Sequence, residues 1–418
     1  MSPARKPLAV VLDGYSAGNF YPATFAAQGA DVLHVQSTAE LIPTMQAPDL
    51  SAYAENIVCT DEDKLVEILG DHDPLCVVAG QESSVQLADR LSERLGLPTN
   101  GSELSPARRD KYEMIEALRR AGVRCAAQFK SGDPDALVAW AEDQGRYPVV
   151  IKPISSAASD GVFICESAGE VRTAAETVLT SQDIFGTANS EILVQSYLKG
   201  TEYIVDTVSC DGERYACGVW QYEKTLLPSG KNIYNRDILV DPDSELVTAL
   251  VSYVDEVLAA LGVRWGPAHA EVIMTDEGPA LVEIGTRLNG NINAPFHDVC
   301  LGHNQADLAA QAYAQPESFR ARYGGRVYRK LQHAVVYNTP TELDGIVAAV
   351  DETAVAEIRG LESVFFAGVK VRPGSPIRPT VDLLTSSLRV FLTAADEERL
   401  AADYERVRTL KDAVYRLA

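Results

Sequence analysis

Basic residues are scarce in this 418-residue sequence, where 37 lysines and arginines face 59 aspartates and glutamates for a formal net charge of −22. A protein dedicated to duplex nucleic acid needs a basic surface, so the imbalance argues against that class. It leaves room for a small polyanionic ligand, because a few local cations reverse the field inside a site.

Long apolar runs are missing too. No stretch reaches the roughly 18 apolar residues that a membrane-spanning helix needs. The first apolar run, Leu8–Leu12, ends at Asp13-Gly14 and is too short for a secretory leader. We therefore expect a cytoplasmic chain that contacts neither membrane nor nucleic acid.

Paired cysteines and the common glycine-rich nucleotide motifs are also absent. The seven cysteines are scattered with no C-x-x-C pair, which favours buried reduced thiols over a metal or redox site. Neither a G-x-x-x-x-G-K-[ST] loop nor a G-x-G-x-x-G turn after a strand occurs, so a P-loop is excluded.

The first hundred residues alternate between strand and helix patterns. These patterns follow one another at 8–12, 21–28, 31–35, 62–69, 75–79 and 85–95. Fully apolar strands separated by helices indicate a parallel sheet covered on both faces. Ligands of such sheets bind at the carboxyl ends of the strands, which makes Gly80-Gln81-Glu82 a candidate ligand-side turn. Gly14 is either a second such turn or a plain one.

The remaining chain is long enough for further domains, since single cores rarely exceed about 300 residues. Ser105-Pro106 predicts the start of a helix that runs to about Arg120. Further strands are predicted at 147–153, 162–165, 192–198 and 202–208, followed by a hairpin that turns at 276–279. The domains that we expect are 1–105, 106–198 and 199–418, with an extra subdomain from about 328 that a charged helix closes at 395–413.

Lys152 ends an apolar strand and is followed by a loop of small residues, Ser155–Gly161. Small residues let backbone N–H groups approach phosphate oxygens closely, and serine hydroxyls add donors. The arrangement predicts a hairpin that covers phosphates. The alternative is a lysine whose amine extends to solvent.

Glu271 and Glu283 lie within two apolar strands of the predicted hairpin. An unpaired carboxylate in such a strand is unfavourable, so each needs a partner. Two carboxylates on paired strands can share a divalent cation, and oxygen ligands suit Mg²⁺. The alternative is an ordinary ion-pair network, for which Arg287 is near.

Together these motifs resemble the ATP-grasp superfamily over roughly residues 75 to 310. The resemblance implies an α/β (α+β) chain with the ATP-grasp fold: an N-terminal parallel-sheet domain, a lid and a large C-terminal domain. It implies that two lysines contact ATP phosphates, that the 155–161 loop covers them, that the backbone near 196–198 holds adenine, and that Glu202 accepts from the ribose. The residues assigned to ATP in this way are Lys111, Lys152, Ser155, Ser156, Ser159, Gly161, Gln195, Ser196, Tyr197, Leu198 and Glu202.

The resemblance assigns Glu271 and Glu283 to Mg²⁺, which Mn²⁺ can replace, and Arg287 to catalysis at the transferred phosphoryl group. Many members have asparagine two residues after the second acid, where this chain has Gly285. Water or Asn289 would then complete the metal coordination. The family also often has glutamate where Gln195 stands.

The shared reaction of the family phosphorylates a carboxylate with ATP, and a nucleophile then displaces phosphate. Biotin carboxylases carry a Gln-Val-Glu-His stretch after the equivalent of Arg287, whereas this chain has Leu288–Asn293. That region and the long tail are more similar to L-amino-acid ligases. We therefore expect ATP-dependent amide or peptide bond formation through an acyl phosphate, with release of ADP and phosphate. The expected partners are a small-molecule carboxylate and an amine, with an amino acid among them, and a homodimer is compatible with this layout.

Five polar residues near the acids are candidates for the substrate pocket: Lys224, Arg236, Asn289, Asn291 and His297. Each has an ordinary structural alternative as a surface or core-satisfied polar group. Arg236 offers a bidentate fork for a substrate carboxylate, or else an ion pair near Asp237. His269 is expected to support Glu271.

Other functions stay open at this point. Gly285 and Gln195 also suit an ATP-binding protein without turnover. A biotin-independent carboxylase, or an ATP-grasp ligase with a nucleophile other than an amino acid, is a further alternative.

Overall fold

The computed structural model of the protein describes residues 6–42, 45–154, 161–181, 188–226, 232–381 and 385–418. Three of the predicted phosphate-loop residues, Ser155, Ser156 and Ser159, lie outside these ranges. The elements named below all belong to the described part of the chain.

The strands are, in chain order, β1 (Leu8–Leu12), β2 (Asp31–Gln36), β3 (Glu55–Val58), β4 (Cys76–Ala79), β5 (Gln128–Ser131), β6 (Val149–Pro153), β7 (Phe163–Cys165), β8 (Ile192–Ser196), β9 (Gly200–Cys210), β10 (Glu213–Leu226), β11 (Asn232–Leu239), β12 (Gly266–Thr275), β13 (Gly278–Gly285), β14 (Arg326–Val327), β15 (His333–Thr339), β16 (Gly345–Val350), β17 (Val364–Val369), β18 (Pro376–Ile377), β19 (Leu388–Ala394) and β20 (Tyr415–Leu417). The α-helices are α1 (Tyr21–Ala27), α2 (Glu62–His72), α3 (Val85–Arg94), α4 (Lys111–Arg120), α5 (Pro134–Asp143), α6 (Ala168–Leu179), α7 (Glu245–Ala260), α8 (Ala294–Leu301), α9 (Gln305–Ala314), α10 (Pro316–Tyr323), α11 (Glu352–Arg359) and α12 (Glu397–Leu410).

The N-terminal sheet is parallel, as the apolar runs predict, with strand order β3-β2-β1-β4. Its two faces are buried against different sets of side chains, one of which includes residues of α9 far along the chain. The turn Gly80-Gln81-Glu82 follows β4 directly, at the carboxyl ends of the strands.

A second sheet of four strands, ordered β5-β8-β6-β7, is antiparallel and carries Lys152 on its β6 strand. Helices α5 and α6 pack against it and bury its apolar side chains. This sheet corresponds to the predicted lid.

The largest sheet follows the order β13-β12-β9-β10-β11-β15-β19-β17, with β14 beside β10. Strands β10 and β11 were not predicted, because their mixed polar and apolar residues hide the strand pattern. The tail contributes β15, β17 and β19 to this same sheet, where β11 pairs with β15 through Arg236 opposite Tyr337. One continuous sheet therefore joins the predicted metal acids to β19 in the tail.

The predicted helix start at Ser105-Pro106 is wrong. Pro106 begins only a short 3-10 turn, and α4 starts at Lys111 after Asp110, whose carboxylate accepts from the backbone N–H groups of Tyr112 and Glu113. Such a capping aspartate satisfies amides that a helix start leaves unpaired. Lys111 is consequently the first residue of α4, next to Ile154 at the end of the lid strand.

All seven cysteines are described and unpaired, and all but Cys125 are buried. Burial raises the pKa of Cys76, Cys217 and Cys300 above its ordinary value, so these thiols stay protonated. Among the helices that the structure describes, none has the length and apolar character needed to cross a membrane.

Candidate active site

One face of the large sheet gathers three of the predicted acids. Glu271 of β12 lies opposite Glu283 of β13, and Glu202 of β9 is two residues from Ile204, the β9 partner of Glu271. Because side chains alternate along a strand, Glu202 and Ile204 point to the same side of the sheet. Burial raises the pKa of Glu202 and the charge of Glu271 raises it further, while Lys224 opposes both.

Two lysines, one half-buried and one buried, approach these acids from outside the sheet. Lys111 of α4 forms an ion pair with Glu283, and Lys152 is only 6% exposed. Burial lowers the pKa of Lys111 to about 8, against the charges of Glu271 and Glu82. Burial and the charge of Lys111 together lower the pKa of Lys152 to about 7. No carboxylate of the described residues lies within 4.0 Å of the Lys152 amine, so this cation has no direct ion-pair partner.

The acids fit a magnesium ion that is held jointly with nucleotide. The part of the chain that the structure describes contains no group of three or more His, Cys, Asp or Glu side chains arranged to hold a metal. Mg²⁺ is usually bound by one or two carboxylates together with phosphate oxygens and water. The facing pair Glu271 and Glu283 supplies that smaller number of ligands.

Glu202 has the free acceptor that a ribose hydroxyl would need. Its Oε2 atom accepts from Lys224 Nζ at 2.6 Å, whereas its Oε1 atom is buried without a hydrogen-bond partner. A buried acceptor that is left unsatisfied is unfavourable, and a bound hydroxyl group would satisfy it.

The predicted adenine segment, Gln195 to Leu198, lies at the end of β8. The Gln195 amide donates to Gln128 Oε1 at 2.8 Å, and Gln128 donates in turn to the Tyr112 carbonyl oxygen of α4. The side chain of Gln195 therefore ties the lid strand to α4. The backbone N–H of Ser196 donates to the Ala127 carbonyl oxygen. Beyond the strand, Tyr197 is exposed and Leu198 is half-buried.

Gly161 is the one member of the predicted phosphate loop within the described ranges. Its φ of +68° favours glycine, and a Cβ atom there would lie 2.8 Å from Pro153 Cγ. The chain thus returns tightly onto the end of β6 beside Lys152.

Arg287 is held by a residue of the N-terminal domain. Its Nε atom lies 2.8 Å from Glu82 Oε2, and Arg109 approaches the other carboxylate oxygen at 3.7 Å. A Cβ atom at Gly285 would lie 2.8 Å from that Glu82 Oε2 and 2.9 Å from Arg287 Cζ. The glycine that departs from the family pattern therefore makes room for the Glu82–Arg287 ion pair.

Asn289 is committed elsewhere and does not complete a metal site in this arrangement. Its amide nitrogen donates to Asp206 Oδ2 at 2.9 Å, and its Oδ1 atom accepts from the Asn291 backbone N–H at 2.8 Å. Both ends of the amide are occupied, so the expectation that Asn289 acts as a ligand has no support here.

His269 supports Glu271, as the sequence predicts. Its Nδ1 atom lies 2.7 Å from Asp206 Oδ1, and its Nε2 atom lies 3.8 Å from Glu271 Oε1. Burial opposes the imidazolium, but Asp206 outweighs it and raises the pKa of His269 to about 9. Burial likewise raises the pKa of Glu271, yet the bond and charge of His269 bring it below its usual range.

The remaining substrate candidates separate into two groups. Lys224 and Asn291 border the acidic face, where they contact Glu202 and Arg389 respectively. His297 is buried against Trp220, and burial lowers its pKa to about 4, so it is neutral.

Arg236 does not reach the site. Its guanidinium forms two hydrogen bonds with Glu223 and lies 4.5 Å from the ring centre of Tyr404, on the tail side of the sheet. The predicted substrate fork therefore has no support, and the alternative, an ordinary ion pair, is formed with Glu223, which lies next to the Tyr222 partner of Asp237.

The sequence did not lead us to predict Asp206 or Arg389 as site residues, and Glu82 was noted only as part of a turn. Asp206 had a usable signal, because a carboxylate within the apolar strand 203–208 needs a partner. Glu82 had one too, in its position after a buried parallel strand. Arg389 gave none, since its partner Asn291 is 98 residues away in the chain.

Replacing Lys152 with methionine is expected to stabilise the nucleotide-free protein and weaken MgATP binding. Methionine removes a buried amine, so we expect a melting temperature about 2–4 °C higher at pH 7. Loss of a charged phosphate contact should weaken MgATP binding about 10-fold or more by calorimetry.

The effect on stability should depend on pH. The pKa of Lys152 falls from 10.5 to about 7 on folding, so the folded state binds fewer protons between these values. Wild-type stability therefore rises with pH across that window, and the advantage of the variant is largest at pH 7 and below. Lys130→Met, which changes a lysine paired with Glu191 in the same sheet, is the control. Unchanged MgATP affinity in Lys152→Met would contradict the phosphate contact.

Comparisons with known proteins agree with this geometry. A profile described as the ATP-grasp domain matches residues 145–294. The chain is 32% identical to dapdiamide A synthase of Enterobacter agglomerans over 99% of its own length and 98% of the relative's. An L-amino acid ligase from Bacillus licheniformis superposes with a TM-score of 0.75 at 18% identity, covering 100% of both chains. The biotin carboxylase domain of the Hydrogenobacter thermophilus 2-oxoglutarate carboxylase, solved with MgADP and bicarbonate, superposes with a TM-score of 0.63 at 14% identity over 100% of this chain and 91% of that one.

Proposed function

The chain belongs to the ATP-grasp family of ligases, and we propose that it joins the carboxylate of one small molecule to the amine of another, with an amino acid among the substrates. One observation carries the proposal: Glu202, Glu271 and Glu283 share a sheet face near two cations, Lys152 and Arg389, that form no ion pair within 4.0 Å with a carboxylate of the described residues. Such a site is built to receive anions.

The nucleotide end of the site would neutralise the phosphates. Lys111 and Lys152 would contact phosphate oxygens, and Glu202 would accept from the ribose. Glu271 and Glu283 would hold Mg²⁺, whose charge offsets the negative charge of the phosphoryl oxygens. Binding ATP would relieve the mutual repulsion of the two lysines, which in the free protein lowers the pKa of Lys152.

In the proposed first step, an oxygen of the substrate carboxylate attacks the γ-phosphorus. The bond to the β-phosphate oxygen breaks and ADP leaves. Arg287, oriented by Glu82, would stabilise the charge that spreads over the transferred oxygens.

In the second step, the nitrogen of the deprotonated amine attacks the acyl carbon. The C–O bond to phosphate breaks, phosphate leaves, and the amide nitrogen loses its remaining extra proton. Closure of the lid, which carries Lys152, over the bound substrates would exclude water, which otherwise hydrolyses the acyl phosphate.

Both features that suggested a non-catalytic ATP binder have structural explanations. Gly285 accommodates the Glu82–Arg287 pair, and Gln195 bonds Gln128. Neither removes a group that the reaction needs. The similarity to dapdiamide A synthase over nearly the whole chain also favours a ligase. Action in the cytoplasm and assembly as a homodimer stay predictions.

Product analysis tests the proposal. The protein is incubated with MgATP and every pair from a panel of common and unusual amino acids, and ADP, AMP, phosphate, pyrophosphate and product mass are measured. We expect ADP and phosphate above the single-amino-acid background only with particular pairs, together with a product of the summed mass less one water. AMP and pyrophosphate would instead mean adenylation and overturn the mechanism. MgATP binding without turnover for any pair would overturn the assignment of two amino acids.

A further inference from the structure

A second cationic group lies on the acidic face, at the end of the sheet that the tail contributes. Arg389 of β19 donates through Nε to Asn338 Oδ1 at 3.0 Å and through Nη2 to Asn291 Oδ1 at 2.8 Å. Both acceptors are neutral amide oxygens. Burial lowers the pKa of Arg389, and the charges of Asp237 and Tyr222 only partly oppose this effect.

The Arg389 guanidinium retains unused donors. An arginine has five N–H groups, and the two bonds above use two of them. The described residues supply no acceptor for the others, and no carboxylate among them lies within 4.0 Å. Arg287 and Arg236, by contrast, are each paired with a glutamate. At least one N–H on each terminal nitrogen stays available, which is what bidentate binding of a carboxylate requires.

Asp237 lies between this guanidinium and the predicted metal acids. It is 4% exposed on β11, opposite Tyr222 of β10, which in turn lies opposite Glu202 of β9. Burial raises the pKa of Asp237 to about 7, with Arg389 and His269 opposing this effect and Glu271 and Asp206 reinforcing it. The described residues give it no ion pair within 4.0 Å. Asp237 and Arg389 therefore share one face of the sheet without forming an ion pair.

The loop after Arg287 sets the position of this space. Asn291, which holds Arg389, is four residues beyond Arg287. Two hydrogen bonds of Asn289 hold this loop in place. Its side-chain amide donates to Asp206, and its backbone N–H donates to Gln305 Oε1. Asn291 therefore connects Arg389 to the loop that follows Arg287.

We propose that Asp237 and Arg389 form the subsite for the amine-donating amino acid, with Arg389 binding its α-carboxylate and Asp237 its ammonium group. The inference rests on the proposed function. Ligation of two amino acids requires that one carboxylate is phosphorylated and the other is not, so the second needs a cation other than Arg287. Because Asp237 lies between Arg389 and the predicted metal acids, an amine bound at Asp237 would be on the side of the acyl phosphate.

Binding measurements test the subsite without requiring turnover. The protein loaded with MgADP is titrated by calorimetry with each of the twenty common L-amino acids, with the α-carboxamide of each, and with the acid that lacks the amine. We expect the preferred amino acids to bind about 100-fold more tightly than either analogue. Arg389→Gln should reduce the preference over the carboxamide to about 3-fold or less, and Asp237→Asn should do the same for the preference over the amine-free acid.

Two further variants guard against general damage to the fold. Arg389→Lys keeps the positive charge but loses the two parallel N–H donors of the guanidinium. Its preference for the acid over the carboxamide should be about 10-fold smaller than that of the wild type. Arg359→Gln changes an arginine that bonds the Ala367 carbonyl oxygen and should leave both preferences unchanged.

Equal binding of acids and carboxamides by the wild type would overturn the subsite, and so would a carboxylate preference that survives Arg389→Gln. Binding of acidic amino acids alone would also overturn it, because Arg389 would then bind a side-chain carboxylate rather than the α-carboxylate. Product analysis stays separate from this result. The expected binding pattern with no ADP release from any pair would leave the subsite and overturn ligation between two amino acids. Ligation that proceeds with normal KM values in Arg389→Gln would defeat the subsite alone.

Discussion

Replacing Glu283 with glutamine should lower the rate of ADP release about 10³-fold while the protein stays folded. Glu283 faces Glu271 across the β12–β13 hairpin and pairs with Lys111 of α4. The amide keeps the shape of the side chain but removes the charge that a magnesium ion and the lysine both need. Transition-state charge on the phosphoryl oxygens would then be poorly neutralised, which is the largest electrostatic requirement of this reaction.

Steady-state ADP release at several Mg²⁺ concentrations measures this effect, and we expect higher Mg²⁺ to restore only part of the rate. Glu277→Gln is the matched control, because Glu277 lies at the turn of the same hairpin and its side chain pairs with Arg124 at 2.9 Å, away from the predicted metal acids. If turnover survived Glu271→Gln and Glu283→Gln combined, the metal assignment would be wrong.

Replacing Arg287 with glutamine should lower kcat about 10²- to 10³-fold with little change in MgATP affinity. The guanidinium is held by Glu82, at 2.8 Å from its Nε atom, and not by a group that we assign to the nucleotide. We therefore expect its charge to stabilise the transition state of phosphoryl transfer rather than bound ATP. Loss of that charge should lower kcat and leave the affinity for MgATP nearly unchanged.

Rapid-quench measurement of acyl phosphate formation, together with MgATP calorimetry, separates these two effects. Arg124→Gln is the control, since Arg124 pairs with Glu277 outside the site. Glu82→Gln should produce a smaller loss in kcat than Arg287→Gln, because the arginine keeps its charge but loses its orientation. A variant at 287 that loses ATP affinity and keeps its single-turnover rate would assign Arg287 to the nucleotide instead.

Local patterns were enough to predict the parts of the site that lie within single motifs. The apolar runs predicted the parallel N-terminal sheet, and the carboxylates at 271 and 283 predicted a hairpin with two facing acids. Lys152 was predicted from the strand that precedes it and the small residues that follow it. In each case the information lies within about ten residues.

Other parts depend on pairings between distant segments. Ser105-Pro106 has the pattern of a helix start, yet the capping carboxylate of Asp110 moves the start of α4 by several residues and so positions Lys111. Arg236 and Asp237 are neighbours in sequence, but alternation on β11 puts them on opposite faces, with Arg236 against Tyr404 and Asp237 among the acids. Arg389 becomes meaningful only once β15 and β19 are known to extend the sheet that carries the acids.

The same continuity limits how this protein can be re-engineered. Strands β11 and β15 are hydrogen-bonded to each other within one sheet. The tail therefore cannot simply be exchanged between relatives to change the substrate preference. A chimera joined near residue 328 would have to reproduce the twist and register of a foreign strand pair. Diversification should therefore proceed by single substitutions of side chains on this sheet, while the hydrogen-bonded frame stays intact.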